Sequence, residues 1–218
     1  MIKISASTLP AMGKLEQYIK RLDKTKVDTI HCDVMDGKFV DNKVFTTKDF
    51  DKVKKNTKKK TDVHLMVSDV DEYIEDFIKM KPNYITLHYE SFDNEAEMVK
   101  AISLIKLYGI KVGISIKPKT PLSKLDKVLG FLDLLLVMSV EPGKGGQKFM
   151  SSAVSKVEEA KKLKRKKRNR FLIQVDGGIN KKNIPKLKKA GADLLVIGSA
   201  LYKTKNLKRK IKEFKKNK

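Results

Sequence analysis

Two rhythms of apolar residues alternate along the chain. Short runs at 3–5, 29–34, 62–66, 84–88, 111–116, 132–138, 171–175 and 194–197 are rich in aliphatic and β-branched residues and read as strands. Between them, apolar residues recur at helical spacing near 13–23, 47–56, 69–80, 94–108, 122–130, 151–167, 181–190 and 204–216. The clearest helix is VDEYIEDFIKM, where Val70, Tyr73, Ile74, Phe77 and Ile78 fall on one face. No Ser/Gly/Pro-rich linker interrupts the alternation, which predicts one domain over 1–218. Repeated strand-then-helix units predict an α/β fold with a parallel sheet closed into a (β/α)8 TIM barrel. An open doubly wound sheet is the alternative.

The barrel also predicts where chemistry belongs, because its active sites gather at the C-terminal ends of the strands and in the loops that follow. The unusual residues fall there. His31 and Asp33 lie late in the second strand, His64 and Met66 end the third, and His88 ends the fourth. Met138 and Ser139 end the sixth and lead into GKGG, Asp176-Gly177-Gly178 follow the seventh, and Gly198-Ser199 follow the eighth. Strand side chains alternate faces, so His31 and Asp33 point one way and Cys32 the other. His31, Asp33, His64 and Asp176 together offer two imidazole nitrogens and two carboxylates, a donor set for Zn, Fe(II), Mn or Co. Met35, Met66 and Met138 map to the same strand ends and are either packing residues or an apolar cap on the site. His88 is either a core histidine or an orienting partner of a ligand. The glycine-rich turns at 142–147, 176–178 and 198–199 are suited to cradle a phosphate with backbone N–H groups.

Composition narrows the classes. Lys and Arg total 49 against 26 Asp and Glu, a net charge of +23. The basic runs KKNTKKK (54–60), KKLKRKKRNR (161–170) and KNLKRKIKEFKKNK (205–218) contain a single aromatic, Phe214, rather than a series of stacking platforms, so they read as solvated helix ends and predict no specific nucleic-acid partner. A mean hydropathy of −0.41 and the lack of a long apolar run predict no membrane span. The single cysteine, Cys32, allows no internal disulfide and reads as a buried small hydrophobe. With an opening MIKISASTLP that lacks a signal-peptide pattern, this predicts a cytoplasmic protein.

Seven motifs, HCDVMDGKFV (31–40), DVHLMV (62–67), ITLHYES (85–91), KVGISIKPKTP (111–121), LVMSVEPGKGGQKFM (136–150), IQVDGGIN (173–180) and GSALY (198–202), run nearly the whole length of the chain. In kind and order they closely resemble the ribulose-phosphate 3-epimerase family. The resemblance implies a barrel of the ribulose-phosphate binding type with one bound divalent metal ion, interconverting D-ribulose 5-phosphate and D-xylulose 5-phosphate by inverting C3 through an enediolate. It implies His31, Asp33, His64 and Asp176 as metal ligands, with Asp33 and Asp176 also the acid–base pair. Ser7, His64, Gly143, Gly145, Gly146, Asp176, Gly177, Gly178, Gly198 and Ser199 are implied to hold the phosphorylated ketose, and a homodimer or homohexamer is expected. Lys144 stands where the family usually carries an aromatic residue, and Lys38 and Asp41 where it often has histidine and proline. A six-carbon ketose phosphate such as D-allulose 6-phosphate is the nearest alternative substrate, and a non-enzymatic polyanion-binding barrel a remote one. The Asp-x-Lys-x-x-Asp pattern of related decarboxylases and aldolases is missing from the second strand, where HCDVMDG stands.

Overall fold

The alternation of apolar and polar positions builds a closed sheet in the computed structural model, which describes residues 2–216. The initial methionine and the last two residues of the basic run 205–218 lie outside it. The strands are β1 (Lys3–Ser7), β2 (Thr29–Asp36), β3 (Lys43–Val44), β4 (Lys60–Met66), β5 (Tyr84–His88), β6 (Lys111–Ile116), β7 (Leu134–Met138), β8 (Leu172–Asp176) and β9 (Leu194–Ile197). All except β3 pair in parallel in the order β1-β9-β8-β7-β6-β5-β4-β2, and β2 returns to β1 to close the eight-stranded (β/α)8 barrel. The two-residue β3 adds antiparallel to the end of β2, opposite Met35 and Asp36.

Period-two alternation sorts each strand onto two faces. Ile30, Cys32 and Val34 of β2, Val63 and Leu65 of β4, and Ile85 and Leu87 of β5 join the apolar shell between sheet and helices. That shell also holds Ile19 and Leu22 of α1 (Leu15–Asp23), Phe50 and Val53 of α2 (Thr47–Asn56), and Ile74 and Phe77 of α3 (Val70–Lys79). Met98, Ile102 and Ile105 of α4 (Glu95–Leu107), Val157 of α5 (Ser152–Lys166), Ile184 and Leu187 of α6 (Ile184–Ala190), and Ile211 and Phe214 of α8 (Leu207–Lys216) continue it around the ring. Each fully buried aliphatic side chain contributes roughly 1.5–3 kcal/mol. Side-chain caps mark the starts of α2 and α4. Before α2, the Thr46 hydroxyl accepts the Asp49 N–H while the Asp49 carboxylate accepts the Thr46 N–H, a reciprocal cap that satisfies two orphan donors.

The helix predicted over 122–130 is not α-helical. The segment forms two 3₁₀ turns, Leu122–Leu125 and Leu129–Phe131. Its apolar residues Leu122, Leu125 and Val128 repeat every third position, which aligns on a helix of three residues per turn rather than 3.6. The hydrogen bonds Lys124 N–H to Pro121, Val128 N–H to Leu125 and Phe131 N–H to Val128 all span three residues accordingly. The predicted 13–23 helix likewise begins with a 3₁₀ turn, Leu9–Lys14, and a one-turn helix α7 (Ser199–Tyr202) follows β9 without a periodic signal long enough to forecast it.

Candidate active site

Inside the barrel the other half of the alternation brings polar side chains together. Thr29, His31 and Asp33 of β2, Asp62 and His64 of β4, Thr86 and His88 of β5, and Gln174 of β8 are all buried. Among the described residues, the ligand atoms of His31, Asp33, His64 and Asp176 lie within 4.8 Å of one another, the arrangement expected from the sequence. Asp33 Oδ1 is 3.2 Å from His31 Nε2 and 3.3 Å from His64 Nδ1, and Asp176 Oδ2 is 3.9 Å from His31 Nε2.

The far side of each histidine is held by a hydrogen bond to a carboxylate or to another ring. His31 Nδ1 donates to Asp62 Oδ2 at 2.8 Å, and that carboxylate also accepts from Thr86 Oγ1 (2.9 Å) and Gln174 Nε2 (3.1 Å). A carboxylate can only accept, so the His31 proton sits on Nδ1 and Nε2 faces the cluster. His64 Nε2 lies 2.9 Å from His88 Nε2, whose ring is stacked against it at a centroid distance of 4.9 Å. Two nitrogens and two carboxylates converging from separately anchored rings form a donor set that fits a divalent transition metal.

The electrostatics separate the two carboxylates. Burial opposes charge on Asp33, but His31 and then His64 outweigh it and hold its carboxyl well below the usual range. Burial, then the charge of Asp33, push Asp176 up to about 6. On His31, burial works against the imidazolium, yet Asp33 and Asp62 overcome it and raise the ring well above its ordinary value. The cluster therefore favours a positive charge at its centre, whether a proton or a metal ion. Burial pushes His88 down to about 4, keeping that ring neutral.

A cavity of about 420 Å³ opens above the cluster, a size suited to a small ligand. Asp33 and Asp176 reach its wall with Ser7, Met35, Met66, Met138, Gly143, Gly145, Gly146, Gly177, Gly178, Gly198 and Ser199, so the wall contains every sequence-predicted site residue except His31 and His64. Those two are fully buried, and the wall does not include His64, which was expected also to contact substrate. Ser7 Oγ donates to Asp33 Oδ2 at 2.9 Å and accepts the Leu9 N–H at 3.2 Å, tying β1 to the site. Leu9, Pro10, Lys144 and Lys203 complete parts of the wall.

The turn after Asp176 depends on its glycines. Gly177 has φ +118° and Gly178 φ +61°, where side-chain-bearing residues are strained. A Cβ on Gly178 would also lie 2.5 Å from the backbone nitrogen of Phe149, so the turn and the 140–149 loop pack with no room between them. Ser139 Oγ donates to the carbonyl oxygens of Asp176 and Gly177, both at 2.7 Å. Sequence reasoning left three partners unassigned: Asp62, Gln174 and Glu90. Glu90 could have been found from spacing, since His88-x-Glu90 places a carboxylate two residues from the histidine it holds, whereas Asp62 holds His31 of the neighbouring strand. Gln174 had no comparable signal.

The chain matches the model of the "Ribulose-phosphate 3 epimerase family" over residues 3–202. It is 40% identical over 217 residues to a ribulose-phosphate 3-epimerase of Bacillus subtilis, covering 99% of each chain, and 38% identical to one of Methanocaldococcus jannaschii, covering 99% of this chain and 90% of that one. Among solved structures, tryptophan synthase subunit alpha from Campylobacter jejuni superposes with a TM-score of 0.65 at 16% identity, covering 100% of this chain and 95% of that one, a likeness of fold alone. Closed barrel, strand-end chemistry and full-length similarity lead to one conclusion: the chain belongs to the ribulose-phosphate 3-epimerase family, isomerases that act on a phosphorylated ketose.

Proposed function

We propose that this chain, acting as one catalytic domain, inverts C3 between D-ribulose 5-phosphate and D-xylulose 5-phosphate with Asp33 and Asp176 as the acid–base pair. The observation that carries the reading is geometric: Asp33 of β2 and Asp176 of β8 reach the same pocket wall and converge with His31 and His64 within 4.8 Å. Inverting a carbon next to a ketone requires removing a proton from one face and returning one to the other, so two groups in opposite proton states are needed. In one direction Asp33 accepts the C3 proton while Asp176 donates to the opposite face, and in the other direction the roles exchange. Because the two carboxylates interact, their titration belongs to the pair.

His31 Nε2, Asp33, His64 Nδ1 and Asp176 would hold one divalent metal ion of the Zn, Fe(II), Mn or Co type. Bound there, such an ion would act as a Lewis acid that offsets the negative charge developing on the enediolate oxygens. Ser7, bonded to Asp33 Oδ2, holds that carboxylate in one orientation. Met35, Met66 and Met138 give the cavity an apolar wall that limits water beside the reacting carbon. The backbone at Gly177, Gly178, Gly198 and Ser199, with Lys203 on the same wall, suits the phosphate, whose binding energy fixes the sugar's position.

The test is incubation with D-ribulose 5-phosphate in deuterium oxide, following C3 by NMR. Deuterium at C3 together with the xylulose epimer, both lost on chelation and in Asp33→Asn, is the expected result. A folded, metal-supplied protein that exchanges nothing at C3 of this sugar but epimerises D-allulose 6-phosphate would overturn the pentose assignment.

A further inference from the structure

His64 offers the cluster a nitrogen only if its proton sits on the other side of the ring, and a chain of hydrogen bonds leading away from the pocket decides where that proton goes. The 3₁₀ turn Tyr89–Ser91 folds Glu90 back so that its Oε2 accepts from His88 Nδ1 at 3.1 Å. Glu90 Oε1 accepts the Lys117 backbone N–H at 2.8 Å and the Thr120 hydroxyl. The loop that supplies those donors is itself pinned by Lys156 of α5, whose Nζ donates to the carbonyl oxygens of Lys117 (3.1 Å), Pro118 (2.8 Å) and Thr120 (2.6 Å). The established family membership assigns no role to Glu90, Thr120 or Lys156.

We propose that Glu90 is a positioning residue that sets the tautomers of His88 and His64, and through them makes the His64 Nδ1 lone pair available to a divalent cation. The proposal rests on the cation reading of His31, Asp33, His64 and Asp176. A neutral imidazole carries one ring proton, and a carboxylate offers only acceptors. Glu90 therefore requires the His88 proton on Nδ1. His88 Nε2 is then an acceptor, so His64, 2.9 Å away, must donate from its own Nε2. That leaves His64 Nδ1 bare, 3.3 Å from Asp33 Oδ1 and 3.3 Å from His31 Nε2, facing the centre of the cluster.

Glu90→Gln probes this with almost no change of shape. The Lys117 N–H can only donate, so the glutamine oxygen must take the place of Oε1, and its NH₂ group faces His88 Nδ1. Every proton in the relay then reverses: His88 carries its proton on Nε2, and His64 carries its own on Nδ1, pointing into the cluster. Thr120→Val removes one hydrogen bond from the same carboxylate and leaves the direction of the relay unchanged.

The experiment is long-range proton–nitrogen NMR of the histidine-labelled, chelator-treated full chain at mildly alkaline pH, followed by calorimetric titration with Mn(II) and Zn(II). Expected are protons on His64 Nε2 and His88 Nδ1 in the wild type and in Thr120→Val, and the reverse in Glu90→Gln. Metal affinity should fall about 10- to 100-fold in Glu90→Gln and stay within about threefold in Thr120→Val. A wild-type His64 protonated on Nδ1 overturns the proposal even if the Glu90 variant does not fold. So does a folded Glu90→Gln with unchanged tautomers or undiminished metal affinity. A wild-type chain that takes up neither metal overturns the cation reading instead, and the tautomer reversal, observed without metal, then decides the relay by itself.

Discussion

Along β2, Ile30, Cys32 and Val34 belong to the apolar shell under the helices, whereas His31 and Asp33, their immediate neighbours, face the barrel axis and bond only to polar partners. The same contrast runs through β4 and β5: Val63, Leu65, Ile85 and Leu87 point out, while Asp62, His64, Thr86 and His88 point in. Barrel interiors are usually filled with layers of branched aliphatic residues. Here only a small apolar cluster, including Tyr84, Leu134, Leu136, Met138 and Leu194, plays that part. Interleaved with them is a hydrogen-bonded network of polar and ionisable groups, in which Gln174 pairs in register with Leu136 and Leu194. One sheet thus carries a face that generates stability and a face that consumes it, because buried charge must be compensated bond by bond.

The largest expected effect lies on the inner face. Asp33→Asn should lower turnover by about 10²- to 10⁴-fold while circular dichroism and thermal unfolding show a folded barrel. A variant that keeps wild-type turnover would break the division of labour. On the outer face, Leu65→Ala should cost about 2–5 kcal/mol of stability in denaturant unfolding, with activity per folded molecule retained. Activity lost in proportion to stability would show that the two faces are mechanically coupled.

Asp176 sharpens the comparison with pH. Its carboxyl titrates at about 6 in the fold against an ordinary 3.8, so between those values the folded chain holds a proton that the unfolded chain has released. Its contribution to stability is complete below about pH 4 and is lost as pH rises through 6. Asn cannot ionise, so metal-free Asp176→Asn should be more stable than metal-free wild type at pH 8, by about 1–3 kcal/mol. The gap should close on acidification, and the variant should be catalytically inert. Equal stability of the two proteins across that range would refute the burial cost assigned to this carboxylate.

The smallest effect is expected outside the barrel. Lys100 pairs with Asp71 at 3.0 Å, but the two side chains are 70% and 64% exposed. Lys100→Ala should change stability by less than about 1 kcal/mol, although the charge separation resembles those in the interior. A loss as large as that of Leu65→Ala would contradict the view that desolvation, not pairing distance, separates the two regions.

Much of the architecture was legible in residues 1–218 because the two periods, 2 and 3.6, are local properties. The eight barrel strands emerge where alternation predicts them, three with unchanged bounds and the others with edges moved by one or two residues. The failure at 122–130 was local too: spacing by threes mimics a helix unless the turn size is considered. The site was legible where the motif itself held the ligand, as in HCDVMDG and DVHLM. It was illegible where the partner comes from elsewhere in the chain. Gln174 reaches Asp62 across 112 positions, and Lys156 anchors a loop some 36 to 39 positions away.

By itself the sequence determined which residues would alternate faces, which turns required glycine and which side chains carried usable chemistry, since steric and solvation preferences act over a few neighbouring residues. Only barrel closure decided that His31, Asp33, His64 and Asp176 share one small volume, that Asp33 and Asp176 hold their protons differently, and that Gln174 stands beside Asp62. Those properties depend on burial and on charges a few ångströms apart, and proximity between distant segments exists only once the sheet has closed on itself.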